Sequence, residues 1–293
     1  MIKSNAHSDI TGYTRDDLLN TAKASPEAVA RHDKQAWLSL FSSGAIVEDP
    51  VGTSPSRCVP DAKTGEKDIS QLERFYNTFI APNDIVFHVH NDIVAGGVVV
   101  RDVDIEITAS TGLITIVHIY VLYELTDEDG NLKVARLAAH WELLHMVKQV
   151  AGRGRHGFKM MIVLGCRMLR FQGLRGILGY MRGFSGVGRD GKDVVLEFIK
   201  GMNERDAGLL SRLIDSHSGK DVIEFPYGGR TFSPLNLVEE IDAHLSASDL
   251  ISAGWATAFR LDIKSDQDSR QGIGLFEFIP KTRKVKRARF FWD

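Results

Sequence analysis

Two stretches of this chain repeat each other, and the repeat limits what the whole can be. Val47-Glu48-Asp49-Pro50-Val51-Gly52 aligns with Ile223-Glu224-Phe225-Pro226-Tyr227-Gly228, and Ala139-His140-Trp141-Glu142 aligns with Phe290-Phe291-Trp292-Asp293. Both matches fall in the same order at corresponding ends of a similar run of elements, which predicts two domains of one architecture in tandem. A chain of 293 residues with 43% hydrophobic and 25% charged side chains has the apolar surface for two cores.

Each half reads as helices followed by strands. Ser25-Pro26-Glu27 resembles a helix cap with proline in the first turn, and Val29, Trp37, Leu38 and Phe41 follow at helical spacing. A short strand at Ala45 to Glu48 ends at Pro50, and a helix is predicted from about Asp68 to Phe79. From Ile85 the period falls to two. Strands are predicted at Ile85 to Val94, Val98 to Ala109, Leu113 to Leu125 and Leu132 to Leu143, separated by Gly96-Gly97, Ser110-Thr111-Gly112 and Asp127-Glu128-Asp129-Gly130. In the second half, helices are predicted from Asp193 to about Ile214 and from Leu235 to Leu245. Its strands are expected at Val222 to Phe225 and near Trp255 to Ile263, Gly272 to Ile279 and Val285 to Trp292, a shorter sheet than the first. The fold class is α+β: two cystatin-like, cone-shaped domains, each with N-terminal helices packed on a curved antiparallel sheet. The expected division is an N-terminal extension over 1–24, a first domain over 25–145, a basic amphipathic helical linker over 146–190, and a degenerate second domain over 191–293.

The residues around Asp49 resemble the ketosteroid isomerase branch of the SnoaL-like group within the nuclear-transport-factor-2-like superfamily, over about Ser25 to Leu144. Ala45-Ile46-Val47-Glu48-Asp49-Pro50-Val51-Gly52 and Phe75-Tyr76 carry the resemblance. It implies that Asp49 is a general base moving a proton between carbons of a small apolar, steroid- or terpenoid-like ligand, that Tyr76 belongs to a supporting hydrogen-bond network, and that Phe41 and Trp141 shape the cavity. Two features depart from the family: Ser25 stands where an oxyanion tyrosine is expected, and Ile119-Tyr120-Val121-Leu122-Tyr123 holds no acid. His118 and Tyr120 are the candidate substitute donors, unless strand parity turns them, with His88, His90 and His140, to the outer sheet face. Phe225 replaces Asp49 in the second domain, which is therefore expected to fill its cavity and to serve as a pairing partner, in a pseudo-dimer or a homodimer.

The functional reading is an isomerase-like, lyase or hydrolase enzyme, or else a non-catalytic module binding the same kind of ligand, with no cofactor and no metal. Two distant cysteines, Cys58 and Cys166, suit a reduced, cytoplasmic setting. A net charge of -2 argues against nucleic acid as partner. Charge is uneven, however. From Leu143 to Arg189 there is no Asp or Glu beside nine Lys and Arg. This segment is expected to pack its apolar side on the domains with Arg167, Arg170 and Arg175 outward, an anionic membrane surface meeting 153–182 being the alternative.

Overall fold

The computed structural model describes residues 10, 12–60, 67–215, 222–265 and 268–293. The chain forms two units, Met1–Asp92 with Gly97–Phe184, and Ser185–Asp293 with Ile93–Gly96. Of the expected N-terminal extension, residues 1–9 and 11 lie outside the described residues.

In the first unit, helix α1 (Arg15–Ala30) begins well before Ser25. Thr14 caps it, in a reciprocal pair with Asp17 that satisfies the first-turn amides. The Ser25-Pro26 cap signal is therefore superseded: both residues lie inside α1 on its buried side. Helix α2 (Lys34–Ser39) is capped by Asp33. Strands β1 (Phe41–Glu48) and β2 (Ser56–Arg57) follow, then the two-residue strands β3 (Val59–Pro60) and β4 (Lys67–Asp68), which pair only with each other. Helix α3 (Ser70–Phe75) runs on into a wider π turn over Tyr76–Ile80. The long strands β5 (Asn83–Ala95), β6 (Val98–Ala109), β7 (Ile114–Glu128) and β8 (Asn131–His140) complete a sheet ordered β2-β1-β8-β7-β6-β5. Strand β1 runs parallel to β8, and β6, β7 and β8 pair antiparallel. Asp129 and Gly130 both take positive φ in the β7–β8 turn, as an Asp-Gly hairpin requires.

Helix α1 packs against β8 and β6, and helix α4 (Leu143–Ala151) against β7. Helix α5 (Gly154–Met181) packs against α3, the π turn and α4, so the expected linker belongs to the first unit through Phe184. α5 is two helical stretches joined at Gly173, whose φ of 66° lies where side chains are rarely tolerated.

In the second unit the one expected helix is two, α6 (Gly188–Asn203) and α7 (Ala207–Leu213). Strands β9 (Ile223–Glu224) and β10 (Thr231–Phe232) precede α8 (Pro234–Glu240), capped by Ser233. Strands β11 (His244–Ala253), β12 (Ala256–Lys264), β13 (Ser269–Phe278) and β14 (Val285–Phe291) follow, in the sheet order β10-β9-β14-β13-β12-β11. The second sheet thus matches the first in having six strands, against the expectation of a shorter one. β11 is hidden in the sequence because Leu245, Ile251 and Ala253 are its buried positions among Ser and Asp, a weak alternation.

Phe259 on β12 lies against Gly274 on β13, and a Cβ at Gly274 would come within 2.1 Å of the Phe259 ring. Gly274→Ala is expected to cost about 1–3 kcal/mol by overpacking. Gly165→Ala, in a helical position with nothing within 4 Å, is expected to gain up to about 1 kcal/mol. Urea denaturation followed by tryptophan fluorescence reads both.

Candidate functional site

The first unit encloses a cavity of about 160 Å³ between its helices and the inner sheet face. Alternation along β7 sends Thr115, Val117, Ile119, Val121 and Tyr123 into it, while Ile105 and Ile107 enter from β6. Asp49 follows the last residue of β1. Its position is held from behind: Val51 donates its backbone N–H to the Ala139 carbonyl, and Arg136 on β8 pairs with Glu48 and Glu124 at 2.7 and 3.0 Å.

The Trp141 indole Nε1 donates to Asp49 Oδ1 at 2.6 Å. Burial among apolar groups pushes the Asp49 carboxyl up to about 6, the Trp141 hydrogen bond pulling in the opposite direction. Tyr180 reaches the same space from the end of α5, stacked on Phe79 at 5.3 Å between ring centroids. Its phenol is raised by burial and by the nearby Asp49 charge, so it stays protonated and can donate. Tyr123 is likewise raised by burial, and its hydroxyl hydrogen-bonds with that of Ser25. A second hollow of about 480 Å³ also borders Asp49 and Tyr180, with Arg74 and Arg175 in its wall.

Of the expected site residues, the cavity brings together Asp49 and Trp141. Phe41 and Tyr76 stand one layer back, behind the lining residue Trp37, at 4.7 and 5.6 Å between ring centroids. The Tyr76 hydroxyl is buried with no hydrogen-bond partner among the described residues, so it forms no supporting network to Asp49. His118 and Tyr120 are not among the lining residues either. The parity of β7 points them to the outer face, where His118 meets Asp104 at 2.8 Å and Tyr120 edge-on. His90 reaches Asp104 at 3.0 Å, and among the described residues His90, Asp104 and His118 are the one group whose donor atoms lie close enough for a metal ion, within 4.8 Å of one another.

Sequence reasoning misses Tyr180 and misplaces Arg167, while Ser25, set by the resemblance at the position of an oxyanion tyrosine, does line the cavity. Met160, Val163, Leu164 and Arg167 recur at i, i+3, i+4 and i+7, and all four line the cavity. Arg167 donates to Ser110 Oγ at 3.0 Å and faces no carboxylate among the described residues; burial lowers its pKa. The signal is legible as a helical stripe, but an arginine in such a stripe reads as solvated.

In the second unit Phe225 takes the place of Asp49 and packs on Trp292 and Phe290 at 4.6 and 5.0 Å between ring centroids. Phe198, Phe259 and Phe276 extend this cluster edge to face, each fully buried. Both Asp49–Pro50 and Phe225–Pro226 are cis peptides. In each unit, then, helices lie across a six-stranded sheet whose first strand after the opening helices runs parallel to its last. Both units are therefore α+β, with the same strand order in the two sheets.

No family model matches the chain and no curated protein matches it. Solved structures similar to it include a Mycobacterium tuberculosis protein in complex with estradiol-17beta-hemisuccinate, 21% identical over 44% of this chain and 96% of that one, with a TM-score of 0.36. A Delta 5-3-ketosteroid isomerase from Mycobacterium sp. is 23% identical over 43% of this chain and 92% of its own, with a TM-score of 0.35. An LEH-like epoxide hydrolase of M. tuberculosis is 11% identical over 52% and 96%, with a TM-score of 0.36.

Because the carboxyl of Asp49 is raised from 3.8 to about 6, folding favours its protonated form. That contribution is complete below the unfolded value and is lost as pH rises through about 6. Asp49→Asn, which carries no charge, is expected to be more stable than the wild type at neutral pH by up to about 3 kcal/mol, the gain vanishing near pH 4. Thermal unfolding across that range measures it.

Proposed function

We propose that the first unit is an isomerase-like enzyme acting by proton transfer on a small apolar carbonyl compound, with Asp49 as general base. The observation that carries this reading is a carboxylate, raised by burial and the only one among the described lining residues, in the wall of a mostly apolar cavity. A base with a pKa near 6 is ionised at neutral pH yet retains enough basicity to take a proton from carbon.

Asp49 removes a proton from the carbon beside the carbonyl, and the electron pair moves onto oxygen as an enolate. The phenol of Tyr180, held protonated beside Asp49, donates a hydrogen bond to that oxygen. Asp49 then returns the proton to a different carbon, so the product is an isomer. Tyr180 supplies a phenol where Ser25 stands in place of the family's tyrosine and Ile119 to Tyr123 hold no acid, and the Tyr123 phenol also lines the cavity. A lyase or hydrolase would use the same base against a different bond or a water.

Ligand binding without chemistry is the second reading. It is favoured by Ser25 standing where the resemblance implies an oxyanion tyrosine and by Ile119 to Tyr123 holding no acid. In either reading the ligand carries an oxygen toward Arg167, whose neighbours Thr111 and Thr115 have buried hydroxyls without partners among the described residues.

Deuterium exchange from solvent into the acidic C–H of a cyclic enone, with binding followed in parallel, separates the two. Asp49→Asn is expected to slow exchange about 10²- to 10⁴-fold with affinity nearly unchanged. Equal exchange in wild type and variant, with ligand bound in both, leaves binding as the function. In the active protein kcat/KM is expected to rise with pH through about 6 and level off above it. Trp141→Phe removes the hydrogen bond that lowers Asp49, and should move that limb to higher pH.

A further inference from the structure

The side of α5 turned away from the cavity is apolar and exposed. Phe158, Ile162 and Leu169 fall in one stripe at i, i+4 and i+11 and are 66%, 50% and 52% exposed. Beyond the break at Gly173 the stripe resumes with Leu174 and Leu178, at 71% and 68%. Exposed basic residues flank it: Arg155, Lys159 and Arg170 in the first stretch, Arg175 in the second. The inner side of the same helix already lines the cavity, so folding of the first unit does not consume this face. A contiguous apolar stripe left outside marks a docking surface.

Charge selects what docks. The segment from Leu143 to Arg189 contains nine Lys and Arg and no Asp or Glu. A second copy of the chain seated on the same face would bring two such rows of cations together. An anionic phospholipid surface neutralises them and takes up the apolar stripe. No helix is long and apolar enough to cross a membrane, so α5 can lie in the interface but not span it.

We propose that the outer face of α5 docks on an anionic phospholipid bilayer, with Phe158, Ile162 and Leu169 at the level of the upper acyl chains and Arg155, Lys159 and Arg170 against the phosphates. Because the opposite side of α5 is cavity wall, docking sets the cavity beside the phase into which an apolar ligand partitions. The surface does not depend on the chemistry assigned to Asp49.

The test is flotation of the full chain with vesicles of phosphatidylcholine alone or with about 30% phosphatidylglycerol. Binding to the anionic vesicles is expected, weakening as salt is raised from about 0.1 to about 0.5 M. Replacing Arg155, Lys159 and Arg170 together by Gln is expected to weaken it about 100-fold, from about a factor of five per basic residue near such a surface. Phe158→Ser with Ile162→Ser should abolish insertion. A Phe158→Trp variant, whose emission should shift to the blue on anionic vesicles, reads the same contact without removing the stripe. Asp49→Asn should bind vesicles as the wild type does, which keeps this result separate from any failure of the catalytic reading. Absence of anionic-vesicle binding, an emission from the Phe158→Trp variant that the vesicles leave unshifted, or a dimer that the Ser substitutions dissociate would overturn the proposal.

Discussion

The hydrogen bond from Trp141 to Asp49 is the constraint around which the first unit is arranged. A carboxylate at the end of a strand would ordinarily turn to water. Here a cavity of mostly aliphatic and aromatic side chains surrounds it, and the Trp141 indole N–H donates to it. That donor has two effects in tension: it fixes the direction of the carboxylate, and it stabilises the charge that burial opposes. The net result is a carboxyl whose pKa is raised to about 6. Arg136, by pairing with Glu48 and Glu124, keeps the strand beneath it in register on the far side of the sheet.

The second unit shows what the same backbone does without that constraint. With Phe225 at the position of Asp49 and Trp292 at that of Trp141, the polar contact becomes an edge-to-face ring contact. The neighbouring phenylalanines close around it, and the region becomes core. One exchange of a carboxylate for a ring converts the requirement from keeping a space open to filling it, since a buried unpaired charge is costly and a buried ring is favourable.

The strands of the first sheet are legible in the sequence because alternation and Gly-containing turns act locally: Ser110-Thr111-Gly112 and Asp129-Gly130 mark two turns where they are found. Asp49 and Trp141 are legible through motif positions. His118 and Tyr120 are not, since parity along β7 depends on where pairing starts and a one-residue change reverses every side chain. Phe41 and Tyr76 sit near the site in sequence pattern but behind Trp37 in space, a matter of layering that spacing does not encode. Tyr180 is out of reach because it arrives from a helix more than a hundred residues away from Asp49, and α5 reads as a connector when its inner face is part of the cavity.

α5 lends one side to the cavity wall and turns the other outward, and an α-helix offers few positions to share between them. Residues at Met160, Val163 and Leu164 alternate along the chain with Met161 and Ile162, so neighbouring codons answer to different demands. A substitution that shifts or rotates the helix to suit a new ligand also re-aims the opposite stripe. Inherited change in what the cavity accepts and in what the outer face meets is therefore coupled by the geometry of one helix, and paralogues that diverge in one trait should diverge in the other.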